Sequence, residues 1–294
     1  MTTGILDGKQ ASDKIKQFIS QEVASMKERG EKVPHLAAIL VGNDGASQTY
    51  VGNKERSCLQ VGFDSTVLRL NESITQEELL QIIGKLNEDP KIDGIIVQLP
   101  LPAHIDENRI IWAISPDKDV DGFHPANVGK MVLGMPALLP ATPAGIIKLL
   151  EMYNINTEGK DCVIIGRSNI VGRPLANLLS QKGKFADCTV TICHSHTKNI
   201  EEYTRKADII VAALGSPGFL KGDMIKEGAI VIDVGITRIP DSTKKSGYRL
   251  SGDAHYESVA PKCSWITPVP GGVGPMTIVS LLSNTLQSAK NRTK

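Results

Sequence analysis

"DCVIIGRSNIVGRPLANLL", residues 161–179, reads as an apolar strand, a glycine-bearing turn and a helix, and it decides the fold class. Residues 162–165 suit a strand buried on both faces. Gly166 lets the chain turn at the strand end, Gly172 lets backbone approach a ligand, and Pro174 suits a first helical turn. A helix that starts this way offers N–H groups and the positive end of its dipole to a phosphate. Ser168 stands where a dinucleotide fingerprint has its second glycine, so the match to G-x-G-x-x-G is incomplete and its neighbours must support it.

They do so on both sides. Downstream, "CTVTICHS", "ADIIVAAL" and "AIVIDVG" each give a strand followed by a turn or helix. Upstream, "LAAILVG" (36–42), "STVLRL" (65–70) and "GIIVQLP" (94–100) alternate with helical segments. One of these, "TQEELLQIIGKLNED", opens with Thr75 and Glu78, a capping box. "ATPAGIIKLLEMY" starts a fresh helix with Thr142 as its cap and Pro143 in its first position. Such alternation predicts an α/β protein: two open α/β domains with a cleft between them, the second a Rossmann-like dinucleotide-binding domain. The first domain is expected over residues 1–141, completed by a C-terminal helix over 276–294, and the second over 142–275. Ligands are expected at the carboxyl ends of the strands.

The length of 294 residues fits two domains. A net charge of +1 gives no electrostatic case for nucleic acid or a membrane surface, and 4% aromatic residues argue against a stacking platform for single strands. No apolar run approaches the ~20 residues of a membrane span, and no secretory signal is visible, so a soluble cytoplasmic protein is expected. The five cysteines form no C-x-x-C pair and read as thiols in a reducing compartment.

An NAD site usually places an acidic residue at the end of the next strand, to hold the ribose 2′-OH. Here that strand ends "TICHSHT", with Arg167, Arg173, Ser195 and Lys198 nearby, which favours NADP over NAD. Gly235 and Ile236 follow a later strand and could bring backbone against a nicotinamide, whereas Asp233 reads as structural. His194 and His196 stand two apart at a strand end with no third ligand nearby, so no metal site is expected.

In the first domain Lys54 raises a separate question. On a helical wheel Tyr50, Val51, Lys54, Cys58 and Val61 share one face. Either the lysine stem packs on the core and its ammonium reaches water, or it is held in a cleft to move protons. Gln98 is a polar residue in an apolar run, and its amide needs a partner that a lysine could supply. "DKDVDGFH" adds Asp117, Asp119 and Asp121 in a loop, with Asp121–Gly122 also a turn signal. "ITPVPGGVGPMT" is stiff at its prolines yet lets a flat ligand approach at its glycines.

Taken together, Tyr50 and Lys54 in Y-x-x-x-K, "VQLPLP", "KDVDGF", "GRSNIVGRP", "GAIVIDVGI" and "ITPVPGGVGPMT" resemble the bacterial-type methylenetetrahydrofolate dehydrogenase/methenyltetrahydrofolate cyclohydrolase family, in order along almost the whole chain. The resemblance implies NADP-dependent oxidation of 5,10-methylenetetrahydrofolate to the methenyl cation, then hydrolysis to 10-formyltetrahydrofolate. It implies that Lys54 handles protons in the hydrolytic step, Gln98 tunes it, Tyr50 orients the folate and Asp121 holds the pterin. Val97, Leu99, Pro270, Gly271, Gly272, Val273 and Gly274 would line the folate pocket. Gly166, Arg167, Ser168, Arg173, Ser195 and Ile236 would contact the dinucleotide. Homodimerisation through the second domain is likewise implied. Intact Tyr50, Lys54 and Gln98 argue against a dehydrogenase that has lost its hydrolytic activity.

Overall fold

Strands and helices alternate along the chain in the computed structural model, which describes residues 2–244 and 247–292. The order begins β1 (Gly4–Ile5), α1 (Gly8–Glu28), β2 (His35–Val41), α2 (Gly45–Val61), β3 (Asp64–Leu70), α3 (Gln76–Glu88) and β4 (Gly94–Val97). It continues with α4 (Glu107–Ala113), α5 (Pro125–Val132), α6 (Ala141–Met152), β5 (Asp161–Ile165), α7 (Gly172–Ser180), β6 (Thr189–Cys193) and α8 (Ile200–Thr204). Last come β7 (Ile209–Ala212), β8 (Ala229–Asp233), β9 (Thr237–Pro240), β10 (Tyr248–Ser251), α9 (Tyr256–Val259), β11 (Cys263–Ile266) and α10 (Val273–Arg292). The chain forms two units, one of Asp13–Ala141 with Ile278–Lys294, the other of Met1–Ser12 with Thr142–Thr277. Two of the boundaries fall inside α1 and α10.

The first unit is built on a parallel sheet in the order β3-β2-β4. Its central strand, "HLAAILV", is buried at six of seven positions, so no polar alternation is needed. One face meets Ile19, Val23 and Met26 of α1, Val51 and Cys58 of α2, and Leu281, Leu282 and Leu286 of α10. The other face packs Leu79 and Ile83 of α3 and Ile110 of α4. The capping box at α3 is complete: Thr75 Oγ1 accepts from the Glu78 N–H and Glu78 accepts from the Thr75 N–H. Asp44 caps α2 by accepting from the Ser47 N–H at 2.7 Å, and Gly62 closes that helix at φ 85°.

The second unit carries a six-stranded parallel sheet in the order β1-β11-β8-β7-β5-β6. The order reverses beside β5: β6 lies on one side while β7, β8 and β11 follow on the other. That reversal is the place where open α/β sheets receive ligands. The first twelve residues belong here rather than with residues 13–141, because β1 extends this sheet by pairing Gly4 and Ile5 with Trp265 and Ile266. A Cβ on Gly4 would collide with the Trp265 ring. The last helix starts at Val273, three residues before the expected position. Helix α6 already begins at Ala141, so Thr142 is inside its first turn and its hydroxyl meets Thr277 Oγ1 at 3.0 Å instead of capping. The antiparallel hairpin β9–β10 was not expected from sequence. Among the described residues, no helix is long and apolar enough to cross a membrane. All five cysteines are unpaired and buried.

Candidate active site

Helix α2 turns Val51, Cys58 and Val61 into the core as expected, together with Ser47 and Ser57. Tyr50 departs from the expected buried face: it is 40% exposed, and Lys54 one turn later is half-buried. Both project from the inward arc where the core does not cover them. Lys54 Nζ donates to Gln98 Oε1 at 3.2 Å. Gln98 follows β4, its N–H donates to the Ile39 carbonyl at 2.9 Å, and its Nε2 donates to the Leu99 carbonyl at 2.7 Å. These bonds fix the amide orientation, leaving the oxygen toward the lysine. Val97 is buried at the end of β4, and the Leu99–Pro100 bond that follows is cis.

Asp121 completes the cluster. Burial pushes its carboxyl above the ordinary range, and the Lys54 charge pulls it back toward ionisation. The loop carrying it is tied at several points. The Asp121 carbonyl accepts from the Ala141 N–H at 3.1 Å, and Gly122 sits at φ 74°, where a Cβ would overlap the Leu139 carbonyl. Asn284 of α10 donates through Nδ2 to the Val120 and Leu139 carbonyls, both at 2.8 Å. Asp119 is a structural neighbour: it is 1% exposed and accepts from the Phe123 and His124 N–H groups and from Asn127 Nδ2. Asp117 is exposed. Sequence reasoning missed Asn284; the signal was the row of polar residues Ser280, Asn284 and Ser288 at four-residue spacing along one face of α10.

In the second unit the turn after β5 is tight at both glycines, and the close approach at Gly172 is to protein backbone. Gly166, at φ 127°, lies against the Ala213 carbonyl, and Gly172 against the Gly166 carbonyl; a Cβ on either would collide. Arg167, Ser168 and Asn169 are exposed at this turn. The start of α7 differs from expectation. Ser168 Oγ accepts from the Val171 and Gly172 N–H groups at 3.2 and 3.4 Å, and the Ser168 carbonyl accepts from the Arg173 N–H at 3.1 Å. The serine that replaces the second glycine therefore occupies donors that a phosphate would otherwise meet. The helix dipole remains, and Arg173, also exposed, bonds Asn169 through Nη1 at 3.0 Å.

At the end of β6, an edge strand, Ser195 and His196 are exposed and the His194 N–H donates to Thr197 Oγ1. Desolvation, together with the Arg167 and His196 charges, pushes the His194 imidazole pKa down. Ile236 lies beside Gly274: a Cβ there would be 3.4 Å from Ile236 Cδ1. Pro270 is exposed after a cis Val269–Pro270 bond, Gly271 takes φ 110°, and Gly272 and Val273 are buried. The Gly271 carbonyl accepts from the Lys9 N–H, and the Gly272 N–H donates to the Pro268 carbonyl. Pro270, Gly271, Gly272, Val273 and Gly274 thus share a unit with the dinucleotide candidates, while Tyr50, Lys54, Gln98 and Asp121 belong to the other.

The two halves match separate family models. Residues 6–121 match the catalytic domain of tetrahydrofolate dehydrogenase/cyclohydrolase, and residues 140–293 match its NAD(P)-binding domain. The chain is 59% identical over 289 residues to the bifunctional protein FolD of Porphyromonas gingivalis, covering 98% of each. It superposes on the bifunctional FolD of Campylobacter jejuni with a TM-score of 0.93 at 51% identity, covering 99% of this chain and 100% of that one. The Trypanosoma brucei dehydrogenase-cyclohydrolase, solved with NADP and an inhibitor, gives a TM-score of 0.95 at 38% identity over 100% and 99% of the two chains.

Proposed function

The chain belongs to the tetrahydrofolate dehydrogenase/cyclohydrolase family, and from that premise we propose which of its residues serve each of the family's two reactions. The protein is a methylenetetrahydrofolate dehydrogenase and a methenyltetrahydrofolate cyclohydrolase. The observation that carries the assignment is the hydrogen bond from Lys54 to an amide oxygen of Gln98 whose orientation the Leu99 carbonyl fixes.

In the hydrolytic step water adds to the methenyl carbon, loses a proton, and a carbon–nitrogen bond of the ring opens. Lys54 is the group that handles that proton. Gln98 holds its ammonium in one position, so little reorganisation is needed when the proton moves. Asp121, with its charge favoured by Lys54 and opposed by burial, is matched to the pterin and to the positive charge of the methenyl substrate. Tyr50, exposed one turn before Lys54, orients the folate, with Val97 and Leu99 forming the adjacent wall. Pro270, Gly271, Gly272, Val273 and Gly274 supply a backbone surface on which a flat ligand can lie.

A bound nicotinamide dinucleotide supplies the hydride acceptor for the oxidative step. Gly166 and Gly172 make the tight strand-to-helix turn on which such a ligand's pyrophosphate is received, each lying so close to a backbone carbonyl that a Cβ would collide. Arg167, Ser168 and Arg173 would hold its phosphates by side chains, since Ser168 already occupies the backbone donors at the start of α7. Ser195 and the neighbouring bases favour NADP: no carboxylate stands at the end of β6 to take a ribose 2′-OH. Ile236 contacts the nicotinamide. A homodimer in the cytoplasm completes the reading, and five unpaired thiols fit a reducing compartment.

A paired assay of wild type and Lys54→Met tests the assignment. One arm follows dinucleotide-dependent oxidation of methylenetetrahydrofolate with NADP and NAD in parallel; the other follows decay of supplied methenyltetrahydrofolate. The variant is expected to lose hydrolysis by about 10²–10⁴-fold while still binding the dinucleotide. Hydrolysis at the wild-type rate would remove Lys54 from the mechanism, and equal use of NAD would remove the preference for NADP.

A further inference from the structure

Two carboxylates that the reactions above do not use lie buried among the strand ends of the second unit. Asp233 ends β8 and is 4% exposed; Asp253 follows β10 and is fully buried. Asp233 Oδ1 accepts from the Gly235 and Asp253 N–H groups at 3.1 and 2.8 Å, and its Oδ2 from the Ala254 N–H at 2.9 Å. Asp253 Oδ2 accepts from the Leu214 and Gly215 N–H groups at 2.6 and 3.0 Å. Its Oδ1 is buried with no hydrogen-bond partner. The two side chains interlock with backbone: a Cβ on Gly235 would overlap the Asp253 carboxylate, and a Cβ on Gly252 would overlap that of Asp233.

The Asp253 segment is held in place independently of this carboxylate. The Asp253 carbonyl accepts from the Leu220 N–H at 2.9 Å, and the Gly252 carbonyl from the Gly218 N–H at 3.0 Å. Stability alone does not account for a charge at this position. Among the described residues no cation forms an ion pair with either carboxylate, and burying an unpaired charge is costly. An oxygen without a partner adds to that cost. What the Asp253 carboxylate does hold is specific: the turn after β7 through Leu214 and Gly215, and the turn after β8 through its contact with Gly235. Leu214 follows Ala213, whose carbonyl lies against Gly166, and Gly235 precedes Ile236. The carboxylate is thus wedged between the two turns that flank the candidate dinucleotide residues.

We propose that Asp253 is a positioning residue of the dehydrogenase, setting the turns after β7 and β8 that shape the dinucleotide site, with no part in the hydrolytic reaction. The inference rests on the dinucleotide reading given above. Asp253→Asn keeps one acceptor oxygen for the Leu214 and Gly215 N–H groups but replaces a charged acceptor with a weaker neutral one. The expected result is a rise of about tenfold in the dinucleotide KM and Kd, equivalent to about 1.4 kcal/mol. Hydrolysis of supplied methenyltetrahydrofolate stays within about twofold, even though the buried Nδ2 lowers the melting temperature slightly.

Unchanged dinucleotide KM and Kd would overturn the proposal. So would a parallel loss of both activities with a lower melting temperature, which marks a purely structural carboxylate. Arg167→Ala, measured alongside, separates this inference from its premise. If Arg167→Ala weakens dinucleotide binding and Asp253→Asn does not, the inference alone fails; if neither does, the dinucleotide reading fails with it.

Discussion

Asn284 lies more than 160 positions from Asp121 in sequence, yet its amide holds the loop that presents that carboxylate. Asn284→Ala removes two hydrogen bonds of 2.8 Å, to the Val120 and Leu139 carbonyls, at a site only 7% exposed. Each neutral bond contributes about 0.5–1.5 kcal/mol net, and a buried carbonyl left without a donor adds a desolvation penalty. The sum is about 2–4 kcal/mol. At about 2.1 cal/mol/K of unfolding entropy per residue, a chain of 294 residues shifts by about 1.6 °C per kcal/mol, so the melting temperature should fall by roughly 3–7 °C. The Asp121 carbonyl keeps its bond to the Ala141 N–H, so the loop loosens rather than detaches. Hydrolysis of methenyltetrahydrofolate should therefore fall by about tenfold, while dinucleotide binding, which depends on the other unit, stays at wild-type strength. Asn284→Asp should be worse, because a carboxylate would face the two carbonyl oxygens. The assay pairs differential scanning fluorimetry with hydrolysis of supplied substrate below the melting range. A variant that melts and hydrolyses like wild type would refute the anchoring role. One that melts early but hydrolyses normally would show that the Asp121 loop keeps its geometry without α10.

Three further outcomes follow from geometry and charge. Gly122→Ala places a Cβ against the Leu139 carbonyl at a left-handed backbone position and should cost about 1–3 kcal/mol, read from the denaturation midpoint, with hydrolysis reduced alongside. Burial, opposed by three N–H bonds, raises the Asp233 carboxyl from its ordinary range to about 6, so the folded chain binds that proton more tightly than the unfolded chain. Its contribution to stability is therefore greatest at low pH and declines by about 3 kcal/mol as pH climbs from about 4 to 6. Asp233→Asn should flatten that window in urea midpoints, while lowering stability throughout because its Nδ2 would face the Ala254 N–H. Burial pushes the Cys58 and Cys263 thiols up to about 12 and that of Cys188 up to about 11, so a thiol reagent at pH 8 should label none of the three in the native protein. Prompt labelling before unfolding would contradict that burial.

The strands and their helices were legible because each carries its own local signal: the unbroken apolar run of β2, Thr75 with Glu78 at α3, and Gly166 after β5. The Lys54–Gln98 pair was legible because a polar residue stood in an apolar pattern on each of two elements. What escaped depends on partners distant in sequence. Nothing in "GI" announces a strand, since β1 exists only by pairing with β11. Tyr50 follows the buried arc of α2 on a wheel, but the core stops short of it. Free N–H groups at the start of α7 were inferred from helix geometry, whereas Ser168 satisfies them locally through a side chain that competes with any incoming anion. Asp253 sits in a plain turn, and its burial comes from the turns after β7 and β8, well apart from it in sequence.

Each unit takes in a segment distant in sequence from the rest of it, and this sets the order in which the two can be completed during synthesis. The edge strand β1 leaves the ribosome about 260 residues before its partner β11, roughly 10–50 s at about 5–20 residues per second. The sheet β3-β2-β4 is finished early, yet Leu281, Leu282 and Leu286 of α10 arrive last to close one of its apolar faces. Until β11 emerges the nascent chain carries both an open hydrophobic face and an unpaired β1, and the face stays open until α10 follows. A chain truncated before α10 is therefore expected to keep that face open and to remain a chaperone substrate.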